Sequence, residues 1–128
     1  MLKKLLCLLT LMMVMIPLVQ AQTNVHWKLT NAQGKALSIN KPLSIKATPD
    51  IVVVANNQQA KIKLMEITVF RGGGSIATKL YNSNTFSLEK DFQLEKGDGV
   101  LIKVKKAIDS KTQKVKEVDG QIAFTTTK

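Results

Sequence analysis

Apolar and polar residues alternate with a period of two along most of this chain. Val25, Trp27 and Leu29 take one phase against His26, Lys28 and Thr30, as a half-buried strand requires. Asn31 to Lys35, with Gly34, reads as a turn. Leu37 and Ile39, then Leu43 and Ile45, keep the alternation on either side of Asn40-Lys41-Pro42. Pro42 lacks a ladder donor and marks a strand end or an edge. Thr48-Pro49-Asp50 is a turn before the β-branched run Ile51 to Val54, and Asn56 to Gln59 is the next turn. Lys61 to Phe70 is the strongest strand, but its phase changes: Ile62 and Leu64 share one face, Ile67 and Val69 the other. Because a slip of one residue swaps faces, this change predicts a bulge or bend near Met65-Glu66.

Gly72-Gly73-Gly74 then breaks the chain, and Ile76, Thr78 and Leu80 resume the alternation. In residues 83–96, Phe86, Leu88, Phe92 and Leu94 suit short strands, while Ser87 to Leu94 also fits one or two helical turns. Val100, Ile102 and Val104 alternate with Leu101, Lys103 and Lys105. Asp109 to Lys114 turn, and Ile122 and Phe124 close the chain as an inward pair. Many short strands separated by turn clusters, with no long 3.6-period segment, predict an all-β sandwich or barrel. The phases assign Trp27, Ile62, Leu64, Val69, Val100, Ile102, Val104, Ile122 and Phe124 to the core.

The first 21 residues break the pattern. Lys3 and Lys4 precede an apolar run from Leu5 to Val19, and Val19-Gln20-Ala21 presents compact residues where a signal peptidase cuts. The run contains Pro17 and is shorter than the roughly 20 residues of a spanning helix. Residues 1–21 are therefore expected to be a cleaved signal peptide helix and 22–128 a single domain, with no stable membrane span after cleavage. Cys7, the sole cysteine, lies in the discarded part, so an ordinary apolar core must supply the stability. Cleavage removes two of 19 basic residues and none of the nine acids, leaving a net charge of +8.

That excess favours anionic partners such as lipopolysaccharide, anionic glycans or acidic proteins. Nucleic acid is not expected, since all the remaining basic residues except Arg71 are Lys and stacking aromatics are few. Alternation places Lys61 and Lys63 on one face of their strand and Lys103 and Lys105 on the outward face of theirs. If those strands share a sheet, they form a candidate basic contact surface, with Lys106 beside it. The alternative is that lysine serves only to keep exposed strands from pairing.

Catalytic patterns are missing at the level of motif. His26 is the sole histidine, and Ser75 follows glycines but is followed by Ile76-Ala77 where a nucleophile elbow needs glycine. Gly72 to Gly74 precede a strand pattern rather than the helix a phosphate loop requires. Gly97-Asp98-Gly99 reads as a turn in which Asp98 satisfies local backbone donors. Asp109, Glu117 and Asp119 flank the last hairpin without the spacing of a calcium loop and among Lys111, Lys114 and Lys116. No enzyme activity, cofactor or metal is expected.

The stretch Ile67-Thr68-Val69-Phe70-Arg71-Gly72-Gly73, followed by Leu94-Glu95-Lys96-Gly97-Asp98 and Val100-Leu101-Ile102, resembles the last domain of the GldM gliding-motility family of Bacteroidota. Lys41-Pro42-Leu43-Ser44-Ile45 is similar to a segment of the preceding domain of that family. The resemblance implies an immunoglobulin-like antiparallel β-sandwich and a periplasmic role in type IX secretion and gliding. It carries no catalytic residues. The chain departs from the family in having a cleavable signal instead of a membrane helix, and room for one domain instead of several.

Together these readings predict a non-catalytic interaction module of a Gram-negative envelope, periplasmic or exported to the cell surface. Its expected partner is an envelope protein, such as an outer-membrane or type IX secretion component. A basic binder of anionic glycan or lipopolysaccharide is the second reading. A small hydrolase or protease inhibitor is the third, and no residue supports it. Processing is directly testable: intact-mass measurement on protein from the native host should give a chain beginning at Gln22, and full-length chain in the membrane fraction would contradict the assignment.

Overall fold

The computed structural model describes residues 26–55 and 60–127; the segment assigned to export, Val25 and the turn read at Asn56 to Gln59 lie outside these. Eight strands follow in order: β1 Trp27–Thr30, β2 Leu43–Ser44, β3 Asp50–Ala55, β4 Ala60–Arg71, β5 Gly74–Tyr81, β6 Thr85–Ser87, β7 Gly99–Asp109 and β8 Val115–Thr127. They form a three-stranded sheet, β1-β3-β6, and a five-stranded sheet, β2-β8-β7-β4-β5. Every pairing is antiparallel except β2 with β8, which is parallel. Among the described residues there is no helix, so the all-β expectation holds.

One core joins the two sheets. Leu29, Ile51, Val53 and Phe86 come from the smaller sheet and meet Met65, Ile67, Val69, Val100, Ile102 and Val104 from the larger. Period-two alternation explains this directly, because pairing Val69 with Val100 and Ile67 with Ile102 sets both strands' apolar phases on one side. The expected inward residues Ile62, Val69, Val100, Ile102, Val104, Ile122 and Phe124 are buried, whereas Trp27 and Leu64 are half-buried.

The phase change in β4 is present but sits earlier than Met65-Glu66. Ile62 pairs with Ala107 and Met65 with Val104, and all four are buried although each strand advances by three positions between them. Leu64 pairs with Lys106 in between, which leaves Lys63 on β4 and Lys105 on β7 without a ladder partner across that pair. Two opposed bulges therefore shift both strands at the same level. They return Ile62 to the core side, where a regular strand would have turned it outward. Leu64 and Met65 are adjacent apolar residues, and only the matching slip in β7 decides that Met65 goes in.

Two further expectations change. Leu37 and Ile39 are not strand residues: the only pairing here is the bridge of Thr30 with Ala36, and Ile39 stays exposed. Residues 88–98 are neither strand nor helix. Of the alternatives there, a single helix-like turn forms at Ser87–Asp91, with the Asp91 N–H donating to the Ser87 carbonyl at 3.2 Å, Asp91 Oδ2 accepting the Ser87 N–H at 2.9 Å and Ser87 Oγ accepting the Lys90 N–H at 3.0 Å. Each side chain thus satisfies a backbone donor of the same turn, which ends it there.

Gly120 shows how the sheets close along the β1–β8 side. The half-buried Trp27 ring lies over its backbone, and a Cβ added there would come within 2.6 Å of the indole Nε1. Replacing Gly120 by Ala should cost about 1–3 kcal/mol, as overpacking does. The ring must then swing toward water, and urea unfolding followed by the emission of this sole tryptophan should show a lower midpoint and a red-shifted native spectrum. An unchanged spectrum and midpoint would mean that the ring does not rest on β8.

Candidate functional site

The outward face of the five-stranded sheet gathers the lysines that the sequence singles out. β4 and β7 are adjacent, so Lys61 and Lys63 do share a sheet with Lys103 and Lys105. Row by row, Leu80, Glu66, Lys103 and Gln121 stand opposite one another across β5, β4, β7 and β8. The next row is uncharged: Thr78, Thr68, Leu101 and Ala123, with the two threonine hydroxyls 3.3 Å apart. On the other side of the Glu66 row lie the bulges with Lys63, Lys105 and Lys106, and beyond them Lys61 pairs with Ile108.

The face is therefore divided into a neutral half and a basic half. Glu66 sits on the boundary, where it accepts an ion pair from Lys105 at 3.1 Å and lies directly opposite Lys103. The bulges matter here, because the residues that they leave without ladder partners are two of the lysines. Exposed apolar groups flank the neutral half. Leu80 is 62% exposed, and a shallow cleft of about 430 Å³ runs along Ile39, Phe70, Gly99, Leu101 and Ala123.

His26 and Ser75 do not come together: His26 is exposed just before β1, and Ser75 lies on β5 in the other sheet. Gly72 and Gly73 form the two-residue link of the β4–β5 hairpin, with φ of 60° and 84°, the positive pair that a tight hairpin of matching twist needs. Asp109 is taken up by its own turn. Its Oδ1 accepts the Lys111 and Thr112 N–H groups at 2.8 and 3.1 Å, and its Oδ2 pairs with Lys116 at 3.1 Å. The backbone bond from Thr112, then Lys116 and the Lys111 backbone, hold its carboxyl down at about 2. Among the described residues, no three His, Cys, Asp or Glu side chains stand close enough to share a metal ion.

One ion pair, between a buried carboxylate and a partly exposed guanidinium, has no motif in the sequence. Asp98, 2% exposed in the loop before β7, accepts Arg71 Nε at 2.9 Å and Arg71 Nη2 at 2.8 Å, and also the Glu95 N–H at 2.8 Å. Arg71 reaches on to the Gln93 carbonyl, and Glu95 lies 3.5 Å from Nε. The Asp98 carbonyl accepts both the N–H and the hydroxyl of buried Thr126 on β8. The signal that marks the pair is Arg71 itself. In a chain whose other basic residues are all lysine, a lone arginine points to a site that needs the planar, two-pronged donor. The Gly97-Asp98 motif is thus a fastening between strands, and Gly97 supplies the turn with φ of 90°.

Comparison with family models, with curated proteins and with solved structures gives no match to this chain.

The Arg71 hydrogen bonds hold the Asp98 carboxyl below its ordinary range, with the Glu95 N–H adding to them and burial opposing. A depressed carboxyl stabilises the fold above its unfolded pKa of about 4, and that contribution fades as pH falls through the folded value. Asp98→Ala should lose about 2–3 kcal/mol at neutral pH by urea unfolding, since it strips charged hydrogen bonds from a buried group. The gap between Asp98→Ala and the parent should narrow as pH is lowered from 5 toward 2. A gap independent of pH would assign the loss to shape instead of charge.

Proposed function

We propose that this chain is a non-catalytic interaction module of the bacterial envelope, carried there by residues 1–21 and acting through the outward face of its five-stranded sheet. The observation that carries this reading is the composition of that face: a neutral, partly apolar half across four adjacent strands, beside a basic half built from the lysines of β4 and β7, with Glu117 of β8 opposite Lys106. The scattered positions of His26, Ser75 and the hairpin carboxylates support a binding role over a hydrolytic one.

The strand order supports placing the fold among immunoglobulin-like sandwiches. β8-β7-β4-β5 corresponds to the G-F-C-C′ sheet of such domains, and β1-β3-β6 corresponds to A-B-E. Such a domain agrees with a relative of GldM-like assemblies, in which an envelope protein, for instance an outer-membrane or type IX secretion component, is the partner. A second reading rests on the lysine half alone: Lys61, Lys63, Lys103 and Lys105 would bind an anionic glycan or lipopolysaccharide.

Charge reversal separates the two readings. The variant with Glu at Lys61, Lys63, Lys103 and Lys105 should lose binding to anionic glycan completely, mirroring raised salt. A protein partner captured from envelope extract should be weakened by about tenfold or less and should survive high salt, because the apolar half remains. A His26→Ala, Ser75→Ala double variant should bind as the parent does. A hydrolytic activity lost in that double variant would overturn the non-catalytic reading.

A further inference from the structure

The five-stranded sheet has two unequal edges. One ends in β2, only two residues long. The other is β5, eight residues long, which pairs with β4 and with nothing on its far side among the described residues. Exposed strand edges normally carry outward lysine, proline or a bulge to prevent pairing, and the one bulge of β5, at Ile76, lies near its start and leaves Ala77 to Tyr81 regular. β5 has one charged residue, Lys79, and that side chain is held down: its Nζ donates to the Asp91 carbonyl and stands 5.1 Å over the Phe92 ring. What β5 leaves open is aliphatic, with Ile76 48% and Leu80 62% exposed.

A cleft of about 350 Å³ lies along this edge, between β5 and the segment 91–93. Val69, Ile76, Ala77 and Phe92 line it, and Lys79 is at its rim. The other charged groups there are already engaged. Arg71 is bound to Asp98, and the Asp91 carboxylate takes the Tyr81 hydroxyl and the Ser87 N–H, both at 2.9 Å. Lys79 has no carboxylate within 4.0 Å among the described residues.

Resting on the interaction-module reading, we infer that the β5 edge and this cleft take an extended, acidic polypeptide segment that adds as a further strand. Ile76 is bulged, without a β4 partner between Ser75 opposite Phe70 and Ala77 opposite Val69, so alternate backbone groups from Ala77 to Tyr81 supply the pairing, as in other strand additions. An aliphatic side chain of the incoming segment fills the cleft over Phe92, and its neighbour two positions along places a carboxylate on Lys79. The net charge of +8 that remains on residues 22–128 draws acidic segments in and works against a second copy at this edge.

The test uses isotope-labelled protein and a capped ten-residue peptide in which valine alternates with glutamate and threonine. Two companions accompany it: one with lysine for glutamate, and one N-methylated along a single backbone edge in each of the two possible settings. Binding should slow exchange of alternate amides between Ala77 and Tyr81, beyond the bulge, by about tenfold or more. One N-methylated setting should abolish binding while the other tolerates it. Lys79→Glu should reverse the preference from the glutamate to the lysine peptide.

Equal binding of both N-methylated forms would overturn the inference, as would protection confined to β7 around Lys103 and Lys105. The latter result would leave the interaction-module reading standing. Dimerisation of the protein alone, with β5 amides protected, would assign the edge to a second copy and overturn it as well.

Discussion

The pair of Arg71 and Asp98 is the constraint on which the five-stranded sheet depends. A carboxylate that is 2% exposed must have its acceptor sites filled, and here they are filled from two places in the chain: the end of β4 and the loop before β7. The backbone of the same residue binds Thr126 and so brings in β8. Three strands are thereby fixed against one another at one end. Because one residue of slip would turn every side chain to the wrong face, this fastening also fixes Val69, Val100 and Phe124 on the core side. The planar guanidinium suits the task, since it reaches both carboxylate oxygens at once while keeping a 39% exposed side in water.

At the other end the same strands follow a different rule. Beyond Met65 and Val104 the ladder slips on β4 and on β7, and β8 contributes its own irregularity between Gly120 and Glu117. Bulges increase local twist and aim side chains where a regular strand could not. Here they keep Ile62 and Ala107 buried and leave Lys63 and Lys105 out of the ladder between these strands. Packing and surface charge are consequently not independent in this sheet. The slips that preserve the core also crowd lysines at one level of the outward face, and Glu66 offsets only part of that charge through Lys105.

Legibility in the sequence followed the range of each interaction. Alternation over a few residues identified β1, β4, β7 and β8 and most of their inward positions, because period and burial are local consequences of the pleat. It failed where a second strand decides the outcome. Leu64 and Met65 are equally apolar neighbours, and the slip in β7 chooses between them. Leu37 and Ile39 alternate correctly but have no strand to pair with beyond the bridge at Ala36. The lysine stripe was legible only as a conditional, since its existence required β4 and β7 to be neighbours. Arg71 and Asp98, separated by 27 positions, left only the oddity of one arginine among lysines.

The free edge at β5 was not legible at all, because an edge is a property of strand order. Its chemistry nonetheless follows from choices visible residue by residue. The β4–β5 hairpin turns tightly through Gly72 and Gly73, which holds β5 beside β4 through to Tyr81 opposite Met65. Tyr81 then anchors the strand end by packing 6.1 Å from Phe86 and donating to Asp91. Burial and that hydrogen bond push its phenol well above the ordinary range, so the bond persists through neutral and mildly basic pH. With the strand fixed at both ends, the outer backbone groups from Ala77 to Tyr81, beyond the bulge at Ile76, are presented in line and need little ordering to pair. Preorganisation of that kind lowers the entropic cost of adding a strand, and an edge that carried it without any partner would be a standing hazard for aggregation.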